Sequence, residues 1–568
     1  MPPPIATFEG LNNNDNPGTT LVIPPDTEGD IGPNHYVEWI NIVLRVYDRS
    51  GAPLTAVLAG NSLFSALPPT AKCRTTNTGD PLVLYDQFAD RWVLTQFTGS
   101  ASPFFQCVAI STTPDPTGTY CLYPFQVSTT VFNDYPKIGL WPDAYYFSGA
   151  GFPAAGFTPQ AYAVQRDAML ACQPASMVYF DNTNSTAIAQ SSLQRMLPSD
   201  VDGPTLPPAG SPNYYVTHDD TNDRLELYKF HVDWTGQTSH SFTKVANIPV
   251  PAFDTAFTCN AVQQTRQCIP QPGTSNRLDV LSTRLMYRLA YRNFGTHESL
   301  VTNQSVDAND PAPDHAGVRW YEIRNPAGPP VLHQASTYSP TLIDHRWMGS
   351  AAMDRQGNLA IGYSISNEVD RFPSINYAGR LSSDPLNQLT QGEATMFAGS
   401  LPQIAAVFVP PAGPARWGDY SHLAVDPVDD CTFWYINEYY PNIPADSVNG
   451  AWHTRIGSFK FPQCTGPTAV AVRNFGAHWR GDRVVVAWRT ASEVDAMGFN
   501  IYRSVGSGPA RKVNRTMIAA GRGGQAGGVR YTFLDRRVRP SKTYTYRLQV
   551  VSPNGVRSWH GIGAAAVR

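Results

Sequence analysis

The first 464 residues repeat one pattern, in which short runs of alternating apolar and polar residues are separated by turns of Asp, Asn, Pro and Gly. Residues 416–440, RWGDYSHLAVDPVDDCTFWYINEYY, contain two such runs around an Asp-Pro turn, and RIGSFKF follows at 455–461. Aromatic and β-branched residues favour strands, whereas Pro and Asp favour tight turns. This stretch therefore predicts an antiparallel hairpin with a third strand beside it.

Seven units of this kind follow one another at spacings of roughly 50 to 75 residues. Their openings are at Gly29-Asp30, Gly79-Asp80, Asp134, Ser211, Leu278-Asp279, Arg346-Trp347 and Arg416. Small sheets arranged in a ring cover their faces and shorten their exposed edges. The pattern predicts an all-β fold with a seven-bladed β-propeller over residues 1–464. The long intervals 142–210 and 341–417 leave room for an eighth blade, and an array of β-sandwiches is the alternative.

Several phrases in this region resemble known propellers. Residues 109–120, AISTTPDPTGTY, are similar to the hairpins of arabinanase-like propellers and to the Asp-box hairpins of sialidases, although Gly118 stands three residues after Asp115 instead of two. PPDTEGDIGPNHYV, GDPLVLYDQFADRWVLTQF and DYPKIGLWPDAYYFS resemble a family of secreted bacterial β-propeller proteins of unsettled activity. The resemblance implies a fold and not an activity, because one fold supports many functions.

After Cys464, the short segment TGPTA predicts a linker to a second domain, residues 465–568. This part resembles a fibronectin type III or immunoglobulin-like β-sandwich. VVVAWRT and GFNIYRS read as alternating strands around a core Trp488, and Tyr544 and Tyr546 stand where such folds keep an aromatic strand and a tyrosine corner.

Eight cysteines predict a disulfide framework, because their number is even and none forms a CxxC motif. The expected pairs are Cys73–Cys107, Cys121–Cys172, Cys259–Cys268 and Cys431–Cys464; buried free thiols are the alternative. Disulfides persist in oxidising compartments, so we expect an extracellular or cell-surface protein. No apolar run is long enough to span a membrane, and we expect that any signal peptide has been removed.

The net charge of -3 conceals an uneven distribution. Residues 465–568 carry 17 Lys and Arg against 4 Asp and Glu, a net of +13, and the remainder carries a net of -16. A basic domain of this kind favours attachment to an anionic wall, a polysaccharide or the acidic propeller of a neighbouring copy. The alternative is an Arg-rich solubilising surface. No nucleic-acid-binding module is recognisable, so we expect no nucleic-acid partner.

Acidic residues at the blade openings are the candidate catalytic groups, because a propeller gathers these positions at its central channel. The five candidates are Asp30, Asp80, Asp134, Asp279 and Asp419. Crowded carboxylates repel each other and raise one pKa, as glycoside cleavage by an acid and a nucleophile or base requires. The alternative is structural: an Asp at a strand start commonly accepts backbone N–H groups of its neighbours.

Basic and aromatic residues beside these openings are the candidate substrate-binding groups. They are Arg74, Lys137, Arg284, Arg346, Arg416, Trp417 and Tyr420. Arg forks suit a substrate carboxylate or sulfate, and aromatic rings suit sugar stacking, although most aromatic residues in blades belong to the core.

Metal binding stays open at this stage. Clustered carboxylates suit Ca²⁺, and weaker calcium candidates are Asp200, Asp202 and Gly203, and Asp219, Asp220, Asn222 and Asp223, for which solvated turns are the alternative. His35, His345 and His422 are candidate bases, with buried hydrogen-bonded histidines as the alternative. No HExxH, P-loop, dinucleotide or Gly-x-Ser-x-Gly motif occurs.

Two functional hypotheses follow from the sequence. The first is a secreted carbohydrate-active propeller that binds an extracellular glycan at the channel mouth and, as a glycoside hydrolase-like enzyme, cleaves it. The second is a non-catalytic surface, adhesion or self-assembling protein whose acidic propeller meets basic domains of other copies. The sequence leaves open whether the protein is an enzyme.

Overall fold

The computed structural model describes residues 1–17, 21–99, 101–154, 156–189, 195–236, 239–259, 267–309, 313–404, 416–464, 472–490, 493, 496–506, 508–521, 529–539, 542–551 and 557–565. The chain divides into two compact units: Met1–Asp426 with Cys431–Cys464, and Pro427–Asp430 with Thr465–Arg568. The described residues are nearly all β, and none of their helices has the length and apolarity needed to cross a membrane.

The strands of the first unit are β1 Ala6–Asn12, β2 Thr27–Ile31, β3 His35–Ile40, β4 Val43–Asp48, β5 Leu58–Ala59, β6 Leu82–Asp86, β7 Arg91–Phe97, β8 Phe104–Ser111, β9 Tyr120–Ser128, β10 Phe132–Leu140, β11 Ala144–Phe152, β12 Thr158–Gln165, β13 Met177–Phe180, β14 Leu197–Asp202, β15 Asn213–Asp219, β16 Arg224–His231, β17 Ser241–Pro249, β18 Gln267–Ile269, β19 Leu278–Asp279, β20 Leu285–Asn293, β21 Glu298–Asp307, β22 Ala316–Arg324, β23 Val331–Tyr338, β24 His345–Met353, β25 Leu359–Ser366, β26 Ser374–Arg380, β27 Glu393–Phe397, β28 His422–Val425, β29 Phe433–Tyr439 and β30 His453–Phe459. Its helices are α1 Lys72–Thr75, α2 Arg166–Leu170, α3 Thr186–Ala189 and α4 Pro444–Asn449, with 3-10 turns at Asn13–Asp15 and Gly60–Phe64.

Within the described residues, these strands form seven four-stranded antiparallel groups. They are sheet 1 (β2 to β5), sheet 2 (β6 to β9), sheet 3 (β10 to β13), sheet 4 (β14 to β17), sheet 5 (β20 to β23), sheet 6 (β24 to β27) and sheet 7 (β28, β29, β30 and β1). A parallel pairing of β14 with β20 joins sheets 4 and 5 into one eight-stranded sheet. The first strand of each group contacts the first strand of the next, and β28 contacts β2, so these strands form a closed ring of contacts.

Two predicted unit openings are wrong. Sheet 4 begins at Leu197 and not at Ser211, which precedes its second strand. Sheet 5 begins at Leu285, whereas Asp279 lies in β19, which pairs with β18 outside the seven groups. Both errors arise because β14 and β20 contain buried charged residues, which interrupt the alternating pattern that sequence reading relies on.

The ring closes where the beginning and end of the first unit pair. β1 is the outermost strand of sheet 7 and runs antiparallel to β30. The buried carboxylate of Glu38 in sheet 1 accepts hydrogen bonds from the backbone N–H of Leu11 at 2.9 and 3.1 Å, from Thr454 Oγ1 at 2.6 Å and from Tyr47 Oη at 2.8 Å. Glu38 therefore connects sheet 1 to β1 and to its neighbour β30 in sheet 7.

Aromatic and aliphatic side chains fill the spaces between neighbouring sheets. Leu84 and Val108 of sheet 2 belong to the same buried cluster as Tyr145 and Phe147 of sheet 3. Between sheets 3, 4 and 5, the ring of Trp141 packs edge-on against neighbouring tyrosine rings. The apolar faces that one small sheet cannot bury alone are thus covered by the next sheet.

Four disulfides link the cysteines in the predicted pairs: Cys73–Cys107, Cys121–Cys172, Cys259–Cys268 and Cys431–Cys464. The last pair flanks β29 and β30 and so fastens the sheet in which the ring closes. This framework is consistent with an oxidising environment.

The second unit contains a three-stranded and a five-stranded sheet. Its strands are β31 Val472–Arg480, β32 Arg483–Thr490, β33 Gly498–Val505, β34 Arg511–Lys512, β35 Ile518–Ala519, β36 Arg530–Asp535, β37 Tyr544–Val551 and β38 Arg557–Ala565. The sheets β31-β32-β36 and β34-β33-β37-β38, with β35 beside β33, share a core around Trp488, Phe499 and Tyr546. The Arg539 N–H donates to Tyr544 Oη at 2.8 Å, so this tyrosine fixes the turn before its strand.

Removing the Cys431–Cys464 disulfide tests the closure of sheet 7. Because this bridge closes a segment of 33 residues, we expect Cys431→Ser/Cys464→Ser to lower the free energy of unfolding in urea by about 2 to 4 kcal/mol. The matched control, Cys259→Ser/Cys268→Ser, opens a segment of only 9 residues and should cost about 1 kcal/mol less. Equal losses would contradict this account.

Candidate functional site

Charged side chains from six of the seven sheets meet where the first strands begin. We call this group the outer cluster; its members are Asp26, Asp80, Asp134, Lys137, Arg195, Arg284, Arg416 and Asp419. Asp26, Asp80, Arg195, Arg284 and Asp419 each precede the first strand of their sheet by a few residues, whereas Asp134 and Lys137 lie inside β10. The ring of first strands therefore brings together residues separated by almost four hundred positions.

Tyr135 lies at the centre of the outer cluster. Its backbone N–H donates to Asp80 Oδ2 at 3.1 Å, and its hydroxyl donates to the backbone oxygen of Asp419 at 2.9 Å. The Lys137 Nζ atom lies 3.5 Å from the centroid of the Tyr135 ring, and the Cζ atoms of Arg284 and Arg195 lie 4.6 and 5.8 Å from it. The electron-rich face of an aromatic ring attracts cations, so Tyr135 holds these three basic side chains close to the carboxylates of the cluster.

The carboxyl groups of the outer cluster differ in acidity. Burial, reinforced by Asp134 and Asp419, raises the pKa of Asp80 to about 7. Burial also raises the pKa values of Asp26 and Asp134. Asp419 shows the opposite shift: although burial opposes ionisation, Arg416 and Arg284 hold its pKa below the usual value, and Arg416 Nη2 donates directly to Asp419 Oδ1.

Protonation of Asp80 gives the outer cluster a surplus of positive charge. Its eight members are four carboxyl groups and four basic groups, so at most three carboxylates remain when Asp80 holds its proton. Burial lowers the pKa of Lys137 to about 8, so this side chain remains mostly protonated at pH 7. A hard cation such as Ca²⁺ would meet neighbouring ammonium and guanidinium groups, so the cluster is better suited to an anionic ligand than to a metal.

Unusual backbone conformations hold several of these side chains. Asp26 and Asp80 have φ of 51° and 43°, in the left-handed region that Asp tolerates better than most residues. Tyr135 has φ of 51°, where the register of β10 shifts between Asp134 and Lys137. A bulge redirects the side chains that follow it, and this one turns Asp134 and Lys137 to the same group of charges. Such strained positions concentrate at functional sites.

A second group of charges, the inner cluster, lies further along the same strands. Arg288 of β20 donates through Nε to Asp200 Oδ2 at 2.7 Å and through both terminal nitrogens to Asp202 at 2.6 and 3.0 Å. Its Nη1 also reaches the backbone oxygen of Leu423 at 3.4 Å. All three charged side chains are nearly inaccessible, so this fork is a structural bond across sheets 4, 5 and 7.

Glu28, Asp30 and His422 complete the inner cluster. His422 Nδ1 lies 2.9 Å from Glu28 Oε1, and despite burial the neighbouring carboxylate raises the pKa of this imidazole. Asp30 accepts hydrogen bonds from the backbone N–H of Tyr85 and of Ile31, both at 2.7 Å, and burial raises its pKa to about 6. Asp30 therefore connects sheets 1 and 2, as the structural alternative expected.

The structure brings only part of the predicted site together. Asp80, Asp134, Lys137, Arg284, Arg416 and Asp419 lie in the outer cluster, and Tyr420 borders it with its ring centroid 3.8 Å from Lys137 Nζ. Asp279 lies at the edge, with Oδ2 3.9 Å from Arg416 Nε and Oδ1 accepting from the Leu281 N–H.

Three predicted binding residues lie elsewhere. Arg74, in α1, donates to the Leu67 backbone oxygen at 2.8 Å, next to the Cys73 disulfide. Arg346 is 2% exposed, and its Nε donates to Glu393 of β27 at 2.7 Å, so its guanidinium is engaged within sheet 6. Trp417 is fully buried against Trp347 and donates from Nε1 to Ser364, so it packs in the core and offers no stacking surface.

The other sequence candidates are structural. The predicted turn at Asp200 and Asp202 is instead the buried strand β14, whereas the acidic loop after Asp219 is a turn between β15 and β16, as expected. The Nε2 of His35 lies 3.9 Å from Asp115 in a neighbouring turn, and the His345 ring packs at a tilt of 42° against His315, with centroids 4.4 Å apart. Among the described residues, one grouping has metal-ligand spacing, Cys259, Cys268 and Asp314, but its two sulfurs are bonded to each other.

Sequence reading missed Asp26, Glu28, Arg195 and Arg288. In the sequence, Asp26 and Glu28 precede Asp30 at intervals of two residues, a spacing that is a signal for one face of a strand. In the structure, Glu28 and Asp30 lie in β2, whereas Asp26 precedes the strand with φ of 51°. Arg195 and Arg288 have no comparable signal, because their roles depend on contacts with other sheets.

Comparisons with known proteins were made on sequence and on structure. No protein-family model matches the chain, and no curated protein matches it. Among solved structures, it is similar to an exo-β-1,3-galactanase from Phanerochaete chrysosporium at 11% identity over 95% of each chain, with a TM-score of 0.28. The GH62 α-L-arabinofuranosidase catalytic domain from Coprinopsis cinerea matches at 9% identity over 67% of this chain and 90% of that one, with a TM-score of 0.27. A Trypanosoma rangeli sialidase matches at 9% identity over 85% of this chain and 83% of that one, with a TM-score of 0.28. Similarity at this level does not transfer function, so the assignment below is argued from the site itself.

Replacing Asp80 with Asn tests the raised pKa of this carboxyl group. Because the folded protein holds this proton up to a pKa of about 7 and an unfolded Asp releases it near pH 4, wild-type stability falls as pH rises through that interval. We expect the free energy of unfolding of Asp80→Asn, relative to wild type, to rise by on the order of 1 kcal/mol per pH unit there and to level off above it.

The measurement is urea unfolding at a series of pH values. Asp233→Asn is the matched control: Asp233 stands in the turn after β16, and hydrogen bonds from Thr235 lower its pKa, so its difference from wild type should be flat from about pH 5 to 7. A flat profile for Asp80→Asn would contradict the prediction.

Replacing Arg288 with Met tests the inner cluster. The change leaves Asp200 and Asp202 buried without their shared cation, so we expect the free energy of unfolding at pH 7 to fall by about 3 to 5 kcal/mol. Arg91→Met is the control, because the guanidinium of Arg91 donates to nearby backbone oxygens of Ala89 and Asp90. Losses of similar size in the two variants would show that the fork is unimportant.

Proposed function

We propose that the first unit is a seven-bladed β-propeller and the second a fibronectin type III-like sandwich, in an extracellular protein that binds and hydrolyses an anionic glycan at the outer cluster. The closed ring of contacts among β2, β6, β10, β14, β20, β24 and β28 supports the propeller. The four disulfides support the extracellular setting.

The opposite pKa shifts of Asp80 and Asp419 carry the catalytic proposal. Glycoside hydrolysis needs one protonated carboxyl, which donates to the leaving oxygen, and one ionised carboxylate, which attacks the sugar or activates water. Asp80, with a pKa of about 7, keeps its proton at mildly acidic to neutral pH, and Asp419 stays ionised beside Arg416. Asp80 is therefore assigned as the acid, and Asp419 as the nucleophile or base.

The cations of the outer cluster assign the substrate class. Arg195, Arg284 and Arg416 surround the carboxyl pair, and Arg195 and Arg416 are partly exposed. Guanidinium forks match carboxylate and sulfate groups in geometry and charge. A glycan that carries uronate or sulfate groups fits this environment better than a neutral one, because the cluster is positively charged when Asp80 is protonated.

Substitution of the two carboxyls tests this function. Asp80→Asn and Asp419→Asn should each lower kcat on an acidic polysaccharide by about 10²- to 10⁴-fold while the protein stays folded. Release of reducing ends from a panel of uronate-containing, sulfated and neutral polysaccharides is the measurement. Asp115→Asn, in the exposed turn between β8 and β9, is the matched control and should keep full activity.

The pH profile gives a second readout of the same proposal. Wild-type kcat should decline above about pH 7 as Asp80 loses its proton. Wild-type protein that releases no reducing ends from any polysaccharide, or variants that retain full activity, would overturn the assignment.

The alternative is a non-catalytic assembly protein, which the opposite charges of residues 465–568 and of the remainder favour. In that case light scattering would detect polymers that dissociate at high salt, and no glycan turnover would be measured.

A further inference from the structure

A polar cleft lies between sheets 5 and 6, at the end of the first strands opposite to the outer cluster. It has a volume of about 90 Å³. It is formed by the turn after β20, the turn after β24 and the ends of β22 and β26. Its lining includes His297, Glu322, Arg324, His333, Gln356 and Arg380, together with Phe294 and Ser382.

Arg380 is the unusual member of this lining. Its side chain is 2% exposed, and its Nη2 donates to the Asp384 backbone oxygen at 2.5 Å. Within the described part of the chain, its buried Nε–H has no hydrogen-bond partner. A buried guanidinium donor without an acceptor costs free energy, so a ligand that supplies an oxygen there would be stabilised.

The one acidic side chain in the lining is already saturated. Glu322 accepts from Arg324 Nε at 2.6 Å, from Ser299 Oγ at 2.8 Å and from Gln334 Nε2 at 2.5 Å. Its charge is balanced by Arg324, and the Asp384 carboxylate, which is not part of the lining, interacts with the charge of Arg380. What the cleft lacks, within the described residues, is an acceptor for the Arg380 Nε–H.

The remaining polar groups can all donate. His297 and His333 carry imidazole N–H groups, and Gln356 and Ser382 offer an amide and a hydroxyl. Phe294 stacks on His297 with ring centroids 4.9 Å apart and holds that ring at the cleft wall. A small space with a buried guanidinium N–H that has no acceptor among the described residues, and with several neutral donors, matches an acceptor-rich anion.

From this geometry we propose that the cleft between sheets 5 and 6 binds a small tetrahedral oxyanion, a phosphate or sulfate group, through Arg380 with His297 and His333. The same chemistry is carried by the free ion and by a phosphate or sulfate ester on a sugar. The site is separate from the outer cluster and does not depend on the proposed hydrolysis.

Histidine NMR provides a local test on the full-length protein. With ¹³Cε1-labelled histidines, titration with inorganic phosphate or sulfate at constant ionic strength should shift the His297 and His333 signals saturably, and His297→Gln and His333→Gln assign these signals. Arg380→Met should weaken the apparent Kd at least about tenfold, because a charge-assisted hydrogen bond is lost. Arg91→Met is the matched control and should leave the Kd unchanged.

The outcomes separate the source of the ligand from the existence of the site. In one outcome, glucose 6-phosphate or galactose 6-sulfate shifts the same signals as strongly as the free ions do, while glucose and galactose cause no shift. That result would identify an esterified sugar as the ligand. Response to the free ions alone would identify an inorganic ligand. Absence of saturable shifts up to tens of millimolar, or equal shifts in Arg380→Met, would overturn the proposal. If Arg380→Met does not fold, His333→Gln takes its place. Loss of the saturable His297 shift in that variant would support the proposal, and an unchanged shift would overturn it.

Discussion

Closure of the ring is the constraint on which the other features of the first unit depend. The first strand β1 joins the last sheet, and the buried carboxylate of Glu38 binds Leu11 and Thr454 from the two ends of the unit. Without that junction, β28 would not contact β2, and Asp419 would not reach Asp80 and Asp26. Burial raises the pKa of Glu38 to about 7, so the junction itself accommodates a proton near neutral pH. Packing of apolar faces thus determines where the charges meet.

The two buried charge clusters illustrate different solutions to the cost of removing ions from water. In the inner cluster, Arg288 is matched by two carboxylates with good geometry, and the group serves as a connection between sheets. In the outer cluster the charges are numerous and imperfectly matched, and several lie in strained backbone. A protein that needed only stability would have little reason to keep the second arrangement. This contrast between a matched and an unmatched cluster is the physical argument for placing function at the outer one.

The cleft between sheets 5 and 6 follows the same logic on a smaller scale. Its carboxylate accepts three hydrogen bonds, whereas the buried Nε–H of Arg380 has no acceptor among the described residues, so the polar groups here are also incompletely matched. Both places sit at ends of first strands, where turns bring polar residues of neighbouring sheets together. The sheets supply rigid support, and the turns between strands present the polar groups.

The sequence by itself determined the β-rich class and the repeated hairpins, because these depend on local alternation and turn residues. Its even number of cysteines indicated disulfides, but an even number does not decide which cysteines pair. The sequence also indicated Asp80, Asp134, Lys137, Arg284, Arg416 and Asp419, since each stands at or near a predicted opening. Tertiary structure decided the rest. Arg346 and Trp417 stand at or next to predicted openings, as members of the outer cluster do, yet one pairs with Glu393 and the other is enclosed in the core. Arg195 and Arg288 gain their roles only from strands far away in sequence. A side chain's orientation depends on bulges and on neighbouring sheets, and these are long-range packing outcomes that local patterns do not encode.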